Sequence, residues 1–171
     1  TLSRKLSYHL KAALDNSTFK ESSEENPRHI DWIRSSPFWL SHLALIAIYW
    51  VGVSPIAVGF CVFFYYIRMF GITGFYHRYF SHRSFQTGRI VQFLGATLGA
   101  SSAQRGPIWW ASHHRHHHQH SDDPPDSHSP KQDGFWWSHV LWFLADKNFS
   151  TKDHLVKDLN RFPELRFLDR Y

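Results

Sequence analysis

The sequence predicts an all-α fold: an integral membrane helical protein with a histidine-lined metal-site cap on its cytoplasmic side. Three observations lead to this prediction. Residues 35–67 contain no Asp, Glu, Lys or Arg, and six of the eight residues 113–120 are histidines. Aromatic residues make up 18% of the chain, including eight tryptophans, as is typical of proteins whose rings lie at a membrane–water interface.

Residues 1–34 are polar and carry charges of both signs, so we interpret them as a cytoplasmic N-terminal segment with one short amphipathic helix. The formal net charge of +5 favours an anionic partner such as a nucleic acid, a phosphate-bearing molecule or lipid headgroups. Because a long apolar run follows, we expect the lipid bilayer to be the partner and expect no nucleic acid. The single cysteine, Cys61, argues against a cysteine-ligated zinc module.

The uncharged run is too long for one membrane-spanning helix. A single helix over residues 35–67 would span roughly 50 Å, whereas the hydrocarbon layer is about 30 Å thick. The sequence GVSP supplies a break, because Pro55 cannot continue a helix interior and biases Ser54 towards extended backbone. We therefore predict a membrane hairpin over about residues 37–76, with helices at 37–52 and 55–76. A buried hairpin of a soluble protein is the alternative.

The two flanks of a hairpin lie on the same side of the bilayer. Arginines are frequent after residue 67, and an excess of basic residues is typical of cytoplasmic segments. The sequence thus predicts a multi-pass integral membrane protein whose histidines lie on the cytoplasmic side. We expect interfacial helices at residues 89–111 and 135–147, with a loop at 121–134 between them.

Two groups of histidines are candidate metal ligands, because neutral imidazole binds iron, zinc, copper and nickel. His77 and His82 follow the second predicted membrane helix. On an ideal helix they would lie about 140° apart, so a local distortion or a sideways placement is needed to bring them together. The second group lies in the sequence SHHRHHHQHS at residues 112–121, where helical spacing fits two overlapping sets equally well. One set is His114, His117 and His118, and the other is His113, His116 and His117.

The sequences GITGFYHRYFSHRSF, WWASHHRHHHQHSDDPPDSHSP and GFWWSHVLW together resemble the membrane-bound fatty acyl desaturases, specifically the Δ9 acyl-CoA desaturase branch. The resemblance covers residues 38–171 and is most specific over residues 71–142. It implies histidine boxes at 77–82 and 114–118, because the second box of the family follows a Trp-Ala-x-x-His-Arg pattern. The implied metal ligands are His77, His82, His114, His117 and His118. Among the neighbouring histidines, His113 is expected to be replaceable without much loss of activity.

The resemblance implies an O2-dependent oxidoreductase of lipid metabolism that introduces a cis double bond, at Δ9, into a saturated acyl chain. Its cofactor would be two iron ions, its co-substrate O2 and its electron donor a protein of the cytochrome b5 or ferredoxin type. One iron would be bound by His77, His82 and His118, and the other partly by His114 and His117. Gln104 and Trp110 would bind the acyl substrate, although Trp110 can also be interpreted as a membrane-interface tryptophan.

Two features depart from the pattern of the family. The third histidine box, H-x-x-H-H, is not found among the remaining histidines, so residues 35–171 are expected to form the N-terminal part of a desaturase domain. The isolated chain is then expected to be inactive. In place of an Arg-Asp pair that the family uses to bind CoA, this chain has Ser112 and His113. The acyl carrier is therefore open between CoA, acyl carrier protein and intact lipid.

Two other functions remain open. A related diiron membrane hydroxylase uses the same metal chemistry, although alkane hydroxylases tend to have Glu where this chain has Arg78. A non-enzymatic, histidine-rich metal-binding membrane protein is the second alternative. Tightly bound iron together with O2 consumption would distinguish an enzyme from a protein that holds exchangeable zinc or nickel.

Overall fold

The computed structural model describes residues 28–171, and within this range the regular secondary structure is helical, with no strand. The predicted all-α class is thus confirmed for these residues. The predicted helix before residue 28 lies outside the described residues. The longer helices are α1 (Ser36–Val51), α2 (Pro55–Ser81), α3 (Arg89–Ala100), α4 (Pro107–His120) and α5 (Pro163–Arg170). Short helical turns lie at Pro130–Asp133, Trp137–Leu141, Trp142–Leu144, Asp146–Asn148 and Asp153–Leu155.

The break between α1 and α2 lies where the sequence predicts it. Gly52 has a φ of +77°, a left-handed conformation that glycine adopts without strain. Ser54 is extended, and its hydroxyl accepts the N–H of Ala57 at 3.1 Å, so it caps α2 in the usual way. Pro55 is the first residue of α2, where its missing N–H costs nothing. The far end of α2 lies at Ser81, beyond the predicted end near residue 76.

Among the described residues, only α2 is long and apolar enough to cross a membrane by length and composition. The apolar helix α1 is shorter. Every residue in the range 40–70 is exposed, so neither helix forms the core of a soluble hairpin here. A continuous exposed apolar surface of this size marks an interaction with lipid or with other protein.

The hydrophobic core lies where the end of α2 meets α3, α4 and α5. The helix α3 packs closely on α2 because Gly95 and Gly99 face the rings of Phe75 and Tyr76. The residues at most 2% exposed in this core include Tyr76, Phe80, Ala96, Ile108 and Leu165. The core thereby fixes the position of the residue that follows Tyr76, which is His77.

The start of α1 contacts the turn Trp142–Leu144, and the end of α2 contacts the histidine-bearing helix α4. Before α1, the N–H of Asp31 donates to the carbonyl of Leu144 at 3.1 Å. Within α1, the ring of Phe38 packs edge-on against Phe143, with 5.5 Å between the ring centroids. The end of α2 packs against α4. Both flanks of the helix pair therefore reach the same part of the molecule.

The two predicted helices at 89–111 and 135–147 have different outcomes, and the prediction of one helix over 89–111 was wrong. The segment 89–111 breaks after α3, because Ala103 and Arg105 adopt positive φ angles of 56° and 64° and Pro107 then begins α4. The histidine tract therefore belongs to the helix that Pro107 starts. The segment 135–147 is helical from residue 135 to Leu144, with π winding at Trp137–Leu141 and 3-10 winding at Trp142–Leu144, and this helix ends where Ala145 becomes extended.

Candidate metal centre

The first histidine pair lies at the end of a π-helix that forms the last part of α2, Gly71–Ser81. The N–H of His82 donates to the carbonyl of His77 at 3.1 Å, a bond between residues five apart. This winding brings the two imidazoles together, with 2.9 Å between their Nε2 atoms and 4.5 Å between the ring centroids. The π-helix is therefore the local distortion that the five-residue spacing requires, and such insertions are frequent at functional sites.

The helix α4 supplies two more histidines from one face, since residues four apart lie above one another on an α-helix. Nε2 of His114 lies 3.1 Å from Nε2 of His82 and 3.0 Å from Nε2 of His118. The rings of His77 and His114 are 4.6 Å apart. Potential ligand atoms of His77, His82, His114 and His118 all lie within 4.8 Å of one another; we call this set the four-histidine cluster.

The spacing of the cluster fits a single transition-metal ion. Imidazole nitrogens bound at about 2.1 Å and at right angles to each other lie about 3 Å apart, close to the observed separations of 2.9–3.1 Å. Burial, followed by the neighbouring histidines, lowers the pKa of His114 to about 3. The same causes, with Arg115, lower the pKa of His82. The site therefore favours neutral imidazoles, which are the form that binds metal.

His117, the fifth predicted ligand, lies beside the cluster and not in it. Its ring centroid is 5.7 Å from that of His118 and 6.4 Å from that of His114. His117, Asp126 and His128 form a second group whose potential ligand atoms lie within 4.8 Å of one another. The structure thus groups His114 with the other three cluster members, whereas the resemblance pairs it with His117.

The alternative histidine set is not brought together in the described part of the chain. His113 is 2% exposed, and its Nε2 lies 3.1 Å from the carbonyl oxygen of Ser150. Its ring packs against Trp109 and Trp142, at 4.5 and 5.7 Å. His116 instead packs on His120, at 4.7 Å. His113 is therefore a core residue, and the expectation that it can be replaced freely does not fit its burial.

A cavity of about 810 Å³ lies beside the four-histidine cluster, a size typical of small-molecule pockets. Both predicted substrate residues line it. The indole of Trp110 stacks on His114, with 4.8 Å between centroids and 22° between planes, and its N–H donates to Oε1 of Gln104 at 3.2 Å. Trp110 and His114 both line the cavity, so the cluster borders it directly. Other lining residues include Phe38, His42, Trp142 and Phe143.

Sequence reasoning missed a partly buried set of ion pairs and hydrogen bonds that joins the two histidine boxes. The Arg115 side chain is 12% exposed and donates to the carbonyls of Phe80 and Ser81 at the end of α2. It also pairs with Asp158 at 2.8 Å, and Asp158 pairs with Arg83 at 3.0 Å. The acidic partner of Arg115 lies 43 residues away, and nothing in the sequence identifies it.

Sequence reasoning also did not identify Asp126 and His128 as residues of the site, because they lie in a segment that composition predicts only as a loop. Oδ2 of Asp126 lies 2.9 Å from Nδ1 of His117. Burial alone would raise the pKa of Asp126, but hydrogen bonds from His117, His128 and Asp122 lower it below its ordinary value. The ring of His128 stacks on Trp142 at 4.5 Å.

Comparison with known proteins points to one family. A family model described as fatty acid desaturase matches residues 53–171. The sn-2 palmitoyl-lipid 9-desaturase of Nostoc sp. (strain 36) is 36% identical over 154 residues, which cover 85% of this chain and 53% of the relative. Delta-9 acyl-lipid desaturase 2 of Arabidopsis thaliana is 39% identical over 147 residues, covering 84% and 47%.

A probable acyl-CoA desaturase of Schizosaccharomyces pombe is 32% identical over 150 residues, covering 84% of this chain and 30% of the relative. The chain spans about half the length of the first two relatives and less of the third. The matches include both histidine boxes, the segment between them and the loop with Asp126. The chain belongs to the fatty acid desaturase family.

Proposed function

We propose that the full-length protein is an O2-dependent acyl desaturase that forms a cis double bond, at Δ9, in a saturated acyl chain. The observation that carries this proposal is the four-histidine cluster, which lies beside a cavity lined by aromatic and polar side chains in a member of the desaturase family. The Δ9 position is supported by the names of two relatives, a 9-desaturase and a Delta-9 desaturase.

Two iron ions are the proposed cofactor, since neutral imidazole suits iron among the transition metals. With O2, iron supplies the oxidising power to remove hydrogen from an unactivated methylene, which side-chain acid–base chemistry cannot do. In balance, –CH2–CH2– with O2, two electrons and two protons gives –CH=CH– and two water molecules. The two electrons come from the proposed partner, a donor of the cytochrome b5 or ferredoxin type.

The histidines of this chain would hold both ions. In this proposal the four-histidine cluster binds one iron as neutral ligands, and His117 contributes to the second. Five imidazoles do not fill the coordination of two ions, so the full-length protein would supply further ligands from outside this chain. On its own, the chain would bind iron weakly, because missing ligands leave the charge of the ion poorly compensated.

The cavity is the proposed site of the acyl chain. The stacking of Trp110 on His114, together with its hydrogen bond to Gln104, holds the indole in the cavity wall beside the cluster. A methylene pair that lies against this wall would be next to the cluster and shielded from water. The position of Trp110 fits substrate binding better than a place in a membrane-interface belt.

An acyl group on a membrane lipid is the substrate that the structure favours. Ser112 donates to the carbonyl of Trp109 and accepts the N–H of Lys152, while His113 contacts Ser150. Both residues are buried, so neither is available at the position where the family resemblance places a CoA-binding pair. Relatives named for acyl-lipid and acyl-CoA substrates both exist.

The exposed apolar surfaces of α1 and α2 support insertion into a bilayer. Because both helix ends reach the histidine-bearing region, the proposed topology is a hairpin with the cluster on one side of the membrane. The positive-inside rule makes that side the cytoplasmic one. The protein is then a multi-pass integral membrane enzyme.

The test is expression of the full-length protein in cells that lack the activity, followed by gas chromatography and mass spectrometry of total fatty acids. We expect a new Δ9 monounsaturated acid. His118→Ala should abolish it, because loss of one ligand alters the geometry and the potential of the site. His120→Ala, on the same helix but outside the cluster, is the matched control and should retain most of the product.

The alternatives give different results in the same experiment. A hydroxylated fatty acid would assign the protein to the related hydroxylases. Exchangeable zinc or nickel with no altered fatty acid would indicate a non-enzymatic metal-binding protein. Equal product from wild type and His118→Ala at matched protein levels would refute the ligand assignment.

A further inference from the structure

Asp126 is a carboxylate that the structure buries completely beside a predicted ligand. Its side chain is 0% exposed. Oδ2 accepts the N–H of Asp122 at 3.3 Å and lies 2.9 Å from Nδ1 of His117. Oδ1 accepts the N–H of His128 at 3.2 Å. These contacts leave the carboxylate little freedom to turn away from His117.

The contact between Asp126 and His117 determines which ring nitrogen carries the proton. A carboxylate only accepts hydrogen bonds, and a neutral imidazole has one N–H and one lone pair. Because Nδ1 faces the carboxylate, Nδ1 carries the proton and Nε2 holds the lone pair. A carboxylate on the far nitrogen of a ligating histidine also makes the ligand more basic and fixes its ring.

We propose that Asp126 is a positioning residue that fixes the tautomer and orientation of His117, so that Nε2 of His117 is its metal-binding atom. This inference rests on the proposed function, since it assigns His117 to one of the two irons. The buried carboxylate of Asp126 then has a role in the metal centre. The same role explains why the loop that carries Asp126 packs against His117 of α4.

A competing arrangement is direct ligation, in which His117, Asp126 and His128 bind an ion themselves. The packing of His128 favours the positioning role, because its ring stacks on Trp142 at 4.5 Å with 17° between planes. On its other side the ring of His117 lies at 4.4 Å and 39°, and Nδ1 of His128 faces Oδ1 of Asp126 at 3.3 Å. These contacts hold His128 as a wall of the group. Direct ligation predicts that His128 and Asp126 are equally necessary for metal binding, whereas positioning does not.

The key variant is Asp126→Asn in the full-length protein. The amide has the shape of the carboxylate but no charge, so with its oxygen towards His117 it accepts the Nδ1–H more weakly. With its NH2 group towards His117 it would instead donate to Nδ1 and move the proton onto Nε2. The matched control is Asp123→Asn, the same substitution in the same loop at an exposed residue. Asp126→Glu tests rescue, and His128→Ala tests direct ligation.

Purified protein in detergent is titrated with a chelator, and bound iron per chain is measured by mass spectrometry, with Mössbauer spectra of the loaded samples. We expect Asp126→Asn to weaken binding of one of the two irons by about 10- to 100-fold and to change the spectrum of that iron. Asp123→Asn should match wild type. Asp126→Glu should recover part of the affinity, and His128→Ala should retain both irons.

Wild-type affinity and spectrum in Asp126→Asn would overturn the positioning role while leaving the proposed function intact. Equal loss in His128→Ala and Asp126→Asn would overturn it in favour of direct ligation. Wild-type protein without iron would instead refute the proposed function, and this inference with it. Thermal melting of the metal-free proteins shows whether Asp126→Asn still folds; a lower melting temperature with one cooperative transition is expected, because the carboxylate accepts three hydrogen bonds in the folded state.

Discussion

Replacing Gly99 by alanine is expected to displace the first histidine box. Gly99 lies in α3 against the ring of Tyr76 in α2. A Cβ at this position would lie 2.2 Å from Cε1 of Tyr76, whereas ordinary contacts lie at 3.4–4 Å. The two helices or the ring must therefore move by about 1 Å or more.

The ring of Tyr76 cannot move away cheaply. It is 0% exposed, and its hydroxyl donates to the carbonyl of Arg105 at 3.0 Å. Overpacking of a core costs about 1–3 kcal/mol, and the loss of the hydrogen bond would add about 1 kcal/mol. Because His77 follows Tyr76 directly, the same movement shifts a cluster histidine. A displacement of about 1 Å at a reacting centre can reduce the rate about 100-fold.

The assay compares the melting temperature, iron content and fatty acid product of the full-length variant with those of wild type. Gly88→Ala is the matched control, because a Cβ there meets nothing within 4 Å and the φ of −70° suits alanine. We expect Gly99→Ala to lower all three quantities and Gly88→Ala to change none. A Gly99→Ala protein with wild-type melting temperature and product would refute the close packing of α3 on α2.

Two further predictions concern stability. Arg115→Lys should lower the free energy of unfolding by about 1–3 kcal/mol. Lys keeps the charge but lacks the planar fork that reaches Asp158 and two carbonyls at once, and each lost hydrogen bond costs about 1 kcal/mol. Chemical denaturation checks this, with exposed Arg78→Lys as the control. Burial lowers the pKa of His113 to about 3, so the folded state disfavours its protonation. The contribution of neutral His113 to the free energy of unfolding is complete above pH 6.5 and is lost as the pH falls towards 3. The loss is about 1.4 kcal/mol at pH 5.5. A melting temperature of the metal-free protein that stays flat between pH 7.5 and 5.5 would contradict this.

Features set by neighbouring residues could be predicted from the sequence. The break before Pro55 follows from the backbone chemistry of Gly52 and proline, and the structure has it there. The same proline rule explains why α4 starts at Pro107, although the apolar composition of residues 89–111 led to the prediction of one continuous helix. Composition alone does not show that Ala103 and Arg105 adopt left-handed backbone.

Features that depend on long-range contacts could not be predicted. The partners of Arg115 and His117 are Asp158 and Asp126, and each acidic residue lies in a segment with no periodic pattern to place it. The burial of His113 also could not be predicted from the sequence. Its position on the face of α4 away from the cluster is clear from helical spacing, but its burial depends on the segment around Ser150.

The spacing of the first box is informative once the π-helix is known. On an α-helix, residues five apart diverge, so ideal geometry would reject His77 and His82 as a pair. On the π-helix they are joined by a backbone hydrogen bond and their Nε2 atoms approach to 2.9 Å. In α4 the cluster members His114 and His118 are four apart, as an ordinary helix requires. The two spacings therefore indicate two helix types, and a change of the first spacing from five to four would force the end of α2 to rewind and move its histidines away from α4.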